Sequence, residues 1–316
     1  MFGFKMDNRK ADRIFSGFTR FFAWGIVFLF FAMVSAMTVA AWPAIKEFGL
    51  GFLWGTSWNP VKDEYGALPF IYGSVVSSIL ALLIAVPLGI GSAIFISEIS
   101  PRWLRVPVSF VIELLAAIPS IVYGVWGLFV LVPLLRSHFQ PFLATYLGFL
   151  PLFQGPVYGV GMLAAGIILA IMILPTITSI SRDVIYNVPT DQREAMLAVG
   201  ATRWETIWHA VLPYCRTGLM GAVLLALGRA IGETMAVTMV IGNKHSISLS
   251  LFQPANTMAS LIANEFAEAV SELYTGVLIE IGLILFVITL LLNVVARWMI
   301  WKFSVNGKEA GGGSHA

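Results

Sequence analysis

Long apolar segments constrain this chain more than any other feature. A helix needs about 20 apolar residues to cross the hydrocarbon core of a bilayer. Six stretches meet this length, at residues 21–42, 71–97, 107–135, 157–180, 218–241 and 273–301. Backbone polar groups in lipid must be bonded within the protein, so helices are predicted for all six. Only 11% of the residues are charged, and soluble domains have about 25%. We therefore predict an all-α integral membrane protein with six transmembrane helices.

Three parts of the chain are predicted. Residues 1–20 form a basic N-terminal segment, residues 21–303 form one transmembrane domain, and residues 304–316 form a tail that ends in a linker or tag remnant. The first apolar run exceeds the core of a signal peptide, which is about 7–15 residues, so it is interpreted as an uncleaved span. Pro119 is expected to bend the long third stretch, unless that stretch begins as an interfacial helix.

Basic residues predict the orientation. Fourteen Lys and Arg residues lie in the N-terminal segment, the 98–106 and 181–217 loops and the C-terminal segment, whereas four lie in the alternate loops. Cytoplasmic loops carry the excess of Lys and Arg. Both termini are therefore predicted to be cytoplasmic. The net charge of +2 gives no indication of nucleic-acid binding.

The longest cytoplasmic loop predicts two short helices separated by a turn. Thr190 is a candidate N-cap for the first helix, and Gly200 suits the left-handed position that ends it. Thr202 and Glu205 have the spacing of a capping box at the start of the second helix. Pro213 is expected to stop that helix or to bend it into the next span.

Four apolar side chains in the second helix recur at helical spacing: Trp204, Ile207, Trp208 and Val211. Such a stripe is typical of an interfacial helix with aromatic rings at the depth of the lipid headgroups. It is equally typical of a surface that fits a groove of another protein. Periodicity alone does not separate these two interpretations.

This loop resembles the EAA loop of ABC importer permeases. The resemblance lies in the Glu-Ala pair, the following Gly and the closing Leu-Pro, although Met196 and Ala210 replace an Ala and an Ile of the motif. It implies a type I ABC importer permease-like fold. It also implies that the loop, about residues 188–213, is the coupling element that docks onto a separate ATPase. The coupling residues implied are Glu194, Ala195, Gly200, Trp204, Leu212 and Pro213.

Charged residues within the apolar stretches are candidates for the substrate path. Arg229 and Glu233 are four residues apart, which places them on one face of a continuous helix. Charged groups inside the bilayer are costly and are functional by default. A structural ion pair and an anion-facing arginine are both open, and arginine suits a tetrahedral oxyanion. Glu113 and Glu280 either neutralise Arg229 or are protonated and inert.

Three segments, Glu113–Gly124, Gly228–Val237 and Asn264–Glu268, resemble the phosphate-specific ABC importer permeases, and in particular the permease of the heteromeric pair that has the longer outer loops. The resemblance extends from Trp42 to Phe303. It implies a bacterial plasma (inner) membrane protein that transports inorganic phosphate. The path residues implied are Arg229, Glu233, Thr234, Glu113, Ser120 and Glu280.

The same resemblance implies the partners: a second homologous permease subunit, an ATPase dimer and an extracytoplasmic phosphate-binding protein. The chain contains no Gly-x-x-x-x-Gly-Lys-Ser/Thr motif, so ATP and Mg²⁺ are expected on the ATPase subunits, with no cofactor or metal on this chain. A permease of the same architecture for sulfate, molybdate or phosphonate is the alternative. An intramembrane enzyme is disfavoured, because no histidine falls in the middle of a span.

Overall fold

The structure, a computed structural model, describes residues 8–309 and the side chains of residues 12, 13 and 15–298. The basic residues before Asp12 and the predicted linker at 311–316 lie outside the described side chains. The helices are α1 (Asn8–Phe48), α2 (Leu68–Ile94), α3 (Arg102–Ala117), α4 (Ser120–Trp126), α5 (Val132–Leu134), α6 (Gln140–Leu147), α7 (Met162–Tyr186), α8 (Thr190–Ala198), α9 (Arg203–Thr206), α10 (Leu212–Ile231), α11 (Met235–Val240), α12 (Met258–Glu265) and α13 (Glu272–Glu309).

Wide helical turns of the π type, each five residues long, join or extend several of these helices. They lie at Phe95–Ile99 after α2, at Gly127–Leu131 and Leu135–Phe139 between α4 and α6, and at Ile207–Val211 between α9 and α10. The described part of the chain therefore contains six segments long and apolar enough to cross a membrane, which confirms the predicted number. They are Phe15–Leu53, Leu68–Ile99, Ser120–Leu147, Met162–Tyr186, Arg203–Ile231 and Glu272–Trp298.

The third and fifth predicted spans have the wrong bounds. The third stretch, 107–135, is divided at Ile118 and Pro119, where both residues have extended backbone angles. A residue that precedes proline is disfavoured in the helical region, so the chain breaks where Pro119 predicted a bend. The fifth stretch, 218–241, is also discontinuous, because α10 ends at Ile231 and α11 begins at Met235. Gly232, with the low helix propensity of glycine, follows the end of α10.

The centre of the protein is the pair of helices α2 and α7. Two thirds of the most apolar part of α7 is buried (67%), more than in any other span of the described chain. Ile168, Leu169 and Ile173 of α7 are completely buried. Small residues on α2 allow close approach, and a Cβ atom at Gly89 would lie 2.7 Å from Cγ2 of Ile177. Close packing at small residues is typical of helix pairs in membranes.

The two longest helices, α1 and α13, pack along each other at the side of this centre. The most apolar part of α1 buries none of its residues, as expected for a helix in contact with lipid. At one end of the molecule, the chain that follows α1 packs with α12 and α13 around Phe52, Phe70 and Tyr65. This second cluster joins the 43–70 and 242–272 loops to the helical bundle.

Candidate substrate path and coupling surface

Arg229 lies near the end of α10 and is half-buried. Its Nη1 atom donates a hydrogen bond to Oγ1 of Thr176 at 3.2 Å. Thr176 is just past the middle of α7, so the guanidinium group is held against the central helix, far from both of its ends. None of the acidic side chains described in the structure forms an ion pair with Arg229.

Glu233 has a different local role from the one predicted. It follows the end of α10, and its Oε1 atom accepts a hydrogen bond from the backbone N–H of Ala236 at 3.1 Å. This contact caps the first turn of α11. The expectation that Arg229 and Glu233 share one face of a continuous helix is wrong, because the backbone leaves the helix between them. The place of Glu233 on a substrate path stays a prediction.

Ser120 and Thr234 lie at the starts of two short helices that pack together. Ser120 is the first residue of α4, and Thr234 directly precedes α11 with its hydroxyl donating to the Gly232 carbonyl at 3.4 Å. A Cβ atom at Gly124 of α4 would lie 3.0 Å from the Cα atom of Ala236 of α11. The two short helices that follow the interruptions after α3 and α10 therefore pack together, and interrupted helices form substrate sites in many secondary transporters.

The other two predicted carboxylates are separate from Arg229. Glu113 on α3 is exposed and pairs with Arg182 near the end of α7, with an Nη2–Oε1 distance of 3.2 Å. Arg182 also contacts Asp183 at 2.8 Å. Glu280 on α13 is buried, and its Oε2 atom has no hydrogen-bond partner among the described residues. The structure thus brings neither carboxylate into an ion pair with Arg229.

The turn between α8 and α9 has the predicted local geometry. Gly200 has a φ of +87°, in the left-handed region that favours glycine. The Thr202 hydroxyl accepts from the Glu205 N–H at 3.3 Å, and the Glu205 carboxylate accepts from the Thr202 N–H at 2.8 Å. The capping box is therefore confirmed. Thr190, however, is the first helical residue of α8 and makes no side-chain cap, since Pro189 precedes the helix.

The four apolar side chains of the second helix do not form one continuous face. Ile207 and Val211 are buried, whereas the rings of Trp204 and Trp208 are exposed and meet edge to face with centroids 5.8 Å apart. The wide turn at Ile207–Val211 changes the helical phase, so that four apolar residues no longer share one face. The turn comes just before Leu212 and Pro213, and the helix continues through both residues into α10, so Pro213 does not stop it.

On the opposite side of the membrane region, Glu265 joins the two long loops. Its carboxylate accepts from Nε1 of Trp58 at 2.9 Å and contacts Nε2 of His245 at 3.2 Å, and the Tyr274 hydroxyl also donates to it. Burial raises the pKa of the Glu265 carboxyl, but the contacts with His245, Tyr274 and Trp58 outweigh it and leave this pKa below its ordinary value.

Comparisons with known proteins place the chain in a family. Residues 85–303 match the family described as binding-protein-dependent transport system inner membrane component. The chain is 52% identical to the phosphate transport system permease protein PstC of Mesorhizobium japonicum, over 92% of this chain and 90% of that protein. It is 47% identical to the PstC protein of Pasteurella multocida, over 94% of each. The chain belongs to the PstC family.

More distant relatives and solved structures agree with this assignment. A probable PstC protein of Methanocaldococcus jannaschii is 39% identical over 89% of this chain and 92% of its own length. The chain resembles a bacterial ABC transporter that imports alginate, with a TM-score of 0.55, 16% identity and coverage of 94% and 97%. It also resembles the MetNI methionine ABC transporter, with a TM-score of 0.51, 18% identity and coverage of 75% and 94%. The predicted type I importer permease fold in a multi-pass inner-membrane protein is confirmed.

Three residues that make long-range contacts near the predicted sites were not identified from the sequence. They are Thr176, Arg193 and Glu98. Thr176 is the acceptor for Arg229. Arg193 of α8 pairs with Glu98, in the wide turn that follows α2, with an Nη2–Oε1 distance of 2.8 Å. A basic residue directly before Glu194 was the one available signal for Arg193, and its partner is too distant in sequence to be inferred from local patterns.

Proposed function

We propose that this chain is the transmembrane permease subunit of an ATP-driven importer of inorganic phosphate, and that it forms half of the translocation path. The closely similar relatives named above are phosphate transport system permease proteins, and they match the chain over about nine tenths of its length. The EAA-like loop provides the contact with a separate ATPase. Both chain termini, by the basic-residue count, face the cytoplasm.

The observation that carries the proposal is the environment of Arg229. A guanidinium group has five N–H donors, and among the described residues only Thr176 accepts a hydrogen bond from it. The remaining donors are available to an anion that passes between the helices. Because phosphate oxygens match the planar fork of arginine, Arg229 is suited to attract phosphate at this depth.

The proposed partners follow from the same assignment. The second half of the path is a homologous permease subunit, and an ATPase dimer binds ATP and Mg²⁺, since this chain has no P-loop motif. An extracytoplasmic phosphate-binding protein delivers the substrate to the face formed by the 43–70 and 242–272 loops. Sulfate, molybdate and phosphonate are less favoured substrates, because the similar relatives named above are phosphate permeases.

Uptake by the reconstituted complex tests the proposal. The assembled importer in proteoliposomes, supplied with ATP inside the vesicles and binding protein outside, should accumulate radiolabelled phosphate and exclude sulfate and molybdate. Vesicles loaded with a non-hydrolysable ATP analogue are the control. Uptake of sulfate or molybdate in place of phosphate would show that the substrate assignment is wrong.

A further inference from the structure

The first helix of the coupling loop has almost no apolar attachment to the membrane domain. In α8, seven of the nine residues are exposed and none is fully buried; only Arg193 and Met196 are half-buried. Apolar burial is the main source of stability for most helix contacts. The orientation of α8 relative to the spans must therefore depend largely on polar contacts, and Arg193 makes most of those that the structure shows.

Arg193 contacts three parts of the structure through one guanidinium group. Its Nη2 atom donates to Oε1 of Glu98 at 2.8 Å and to the carbonyl of Ile185 at 2.9 Å. Its Nε atom donates to the same Glu98 oxygen at 3.3 Å, and its Nη1 atom donates to the carbonyl of Val188. Ile185 lies in the last turn of α7, where the helix dipole favours a cation.

These contacts lie in a protected environment. The side chains of Arg193 and Glu98 are 20% and 14% exposed, so the charges are screened less than those of a surface pair. An apolar cluster packs between the adjoining ends of α2, α7 and α10, and it contains Ala93, Ile185, Val188, Val211, Cys215 and Leu219. The Arg193 clamp, defined as Arg193 with Glu98 and the Ile185 and Val188 carbonyls, thus joins α8 to the ends of the two central helices.

We propose that the Arg193 clamp transmits movement of the coupling loop to α2 and α7, so that Arg193 and Glu98 are positioning residues for coupled transport. This inference rests on the proposed function of the loop as the ATPase contact. A displacement of α8 by the ATPase must move the ends of α2 and α7 while the clamp is intact. With the clamp removed, α8 is free to tilt against the spans, and ATP hydrolysis continues without an equal movement of the path.

The test compares phosphate transported per ATP hydrolysed in the reconstituted complex. Arg193→Met keeps the apolar stem and removes every donor. We expect about a tenfold lower transport ratio at normal complex assembly, since the loss of charge-assisted hydrogen bonds shifts an equilibrium by about this factor. Arg193→Lys should give an intermediate ratio, because one ammonium group cannot serve all three acceptors. Arg102→Gln, at the exposed start of α3, is the matched control and should keep the wild-type ratio.

A purely structural role would reduce complex assembly, or would reduce hydrolysis and transport together, and would leave the ratio unchanged. Should Arg193→Met fail to assemble, Glu98→Leu decides the matter, because it keeps the contacts of Arg193 with α7 and removes those with α2. A wild-type ratio in an assembled Arg193→Met or Glu98→Leu complex overturns the proposal. If the wild-type complex transports no phosphate, the proposed function fails, and co-purification of the ATPase with Gly200→Val and Gly200→Asn variants of this chain then tests the loop separately.

Discussion

At the scale of single residues, the environment of Arg229 explains how a permanent charge is retained among apolar helices. The charge is half-buried rather than fully enclosed, and Thr176 provides one neutral acceptor. A neutral acceptor leaves the net positive charge in place, whereas a carboxylate partner would have cancelled it. This environment is consistent with the role proposed for Arg229, which is to attract an anion without holding it through several fixed contacts.

The first prediction concerns Arg229 and Glu233. Arg229→Gln should lower phosphate uptake about tenfold or more without loss of assembly, since a charge-assisted hydrogen bond is worth roughly 1.5–3 kcal/mol. Arg229→Lys should retain part of the activity. Glu233→Gln keeps the oxygen that caps α11, so it should assemble normally. Uptake is measured beside membrane abundance, and normal uptake by Arg229→Gln would remove this residue from the path.

The second prediction concerns the pH dependence of the contacts around Glu265. Because its pKa is below the ordinary value, the carboxylate stabilises the fold above its unfolded-state pKa, about 4.3, and this contribution is lost as pH falls through the folded pKa. The titratable groups that interact with Glu265 are His245, Tyr274 and Tyr65. We expect the unfolding temperature of the purified chain to fall on acidification below about pH 4.3.

The control for that measurement is Glu265→Gln, which cannot ionise but can still accept hydrogen bonds from Trp58 and Tyr274. Its unfolding temperature should be lower than that of the wild type at neutral pH and should change less on acidification. The same acid transition in both proteins would show that another group is responsible for it.

At the scale of elements, the coupling loop combines a rigid turn with a weakly buried helix. The turn is defined by the left-handed Gly200 and the Thr202 capping box, and the weak burial concerns α8. The turn therefore keeps its local conformation, whereas the orientation of α8 relative to the spans depends on the few contacts of Arg193. The exposed Trp204 and Trp208 rings are then available for a partner, as the resemblance to the EAA loop implies.

The third prediction tests the turn. A Cβ atom at Gly200 meets nothing within 4 Å, so a substitution there is costly only because φ is +87°. Gly200→Val should destabilise the turn by about 1–2 kcal/mol, insert normally, and reduce both ATPase docking and uptake. Gly200→Asn is the matched variant, since asparagine tolerates the left-handed region, and it should retain most of the activity. Docking is measured by co-purification, and equal docking of the two variants would contradict the coupling role.

At the scale of the whole molecule, the six spans divide into a tightly packed centre and a lipid-facing periphery. The centre is α2 with α7, and the periphery includes α1. The contacts of Arg229 and Arg193 are both made with α7 or its end. The most buried helix therefore contacts both the candidate substrate path and the candidate coupling surface, as the proposed role of the Arg193 clamp requires.

The fourth prediction concerns orientation. Cysteine reporters should be placed at exposed positions, so that accessibility reports the side of the membrane rather than burial. Gln154 and Val270 are exposed in the predicted outer loops, and Arg102 is exposed in a predicted inner loop. In intact cells, reporters at the first two positions should react with an impermeant maleimide, and the reporter at Arg102 should react only after permeabilisation. Labelling of the Arg102 reporter from outside would reverse the predicted topology.

The sequence by itself determined the features that depend on local chemistry. The number of spans follows from apolar length, and the position of the irregularity at Pro119 follows from the geometry before a proline, although a bend and not a break was predicted there. The left-handed turn at Gly200 and the Thr202 capping box follow from interactions within a few residues. The bounds of the third and fifth spans were predicted less well. Apolar residues resume directly after both helix breaks, at Ile121 and at Met235, so apolar length alone does not show where a helix ends.

Only the tertiary structure decided which groups meet. Arg229 is 53 residues from Thr176 in the sequence, and Arg193 is 95 residues from Glu98. Spacing along one helix placed Glu233 on the same face as Arg229, but the break after Ile231 removed that geometry, and the packing of α10 on α7 brought Thr176 to Arg229 instead. Contacts of this kind depend on how separate helices pack, because helical periodicity specifies neighbours only within one unbroken helix.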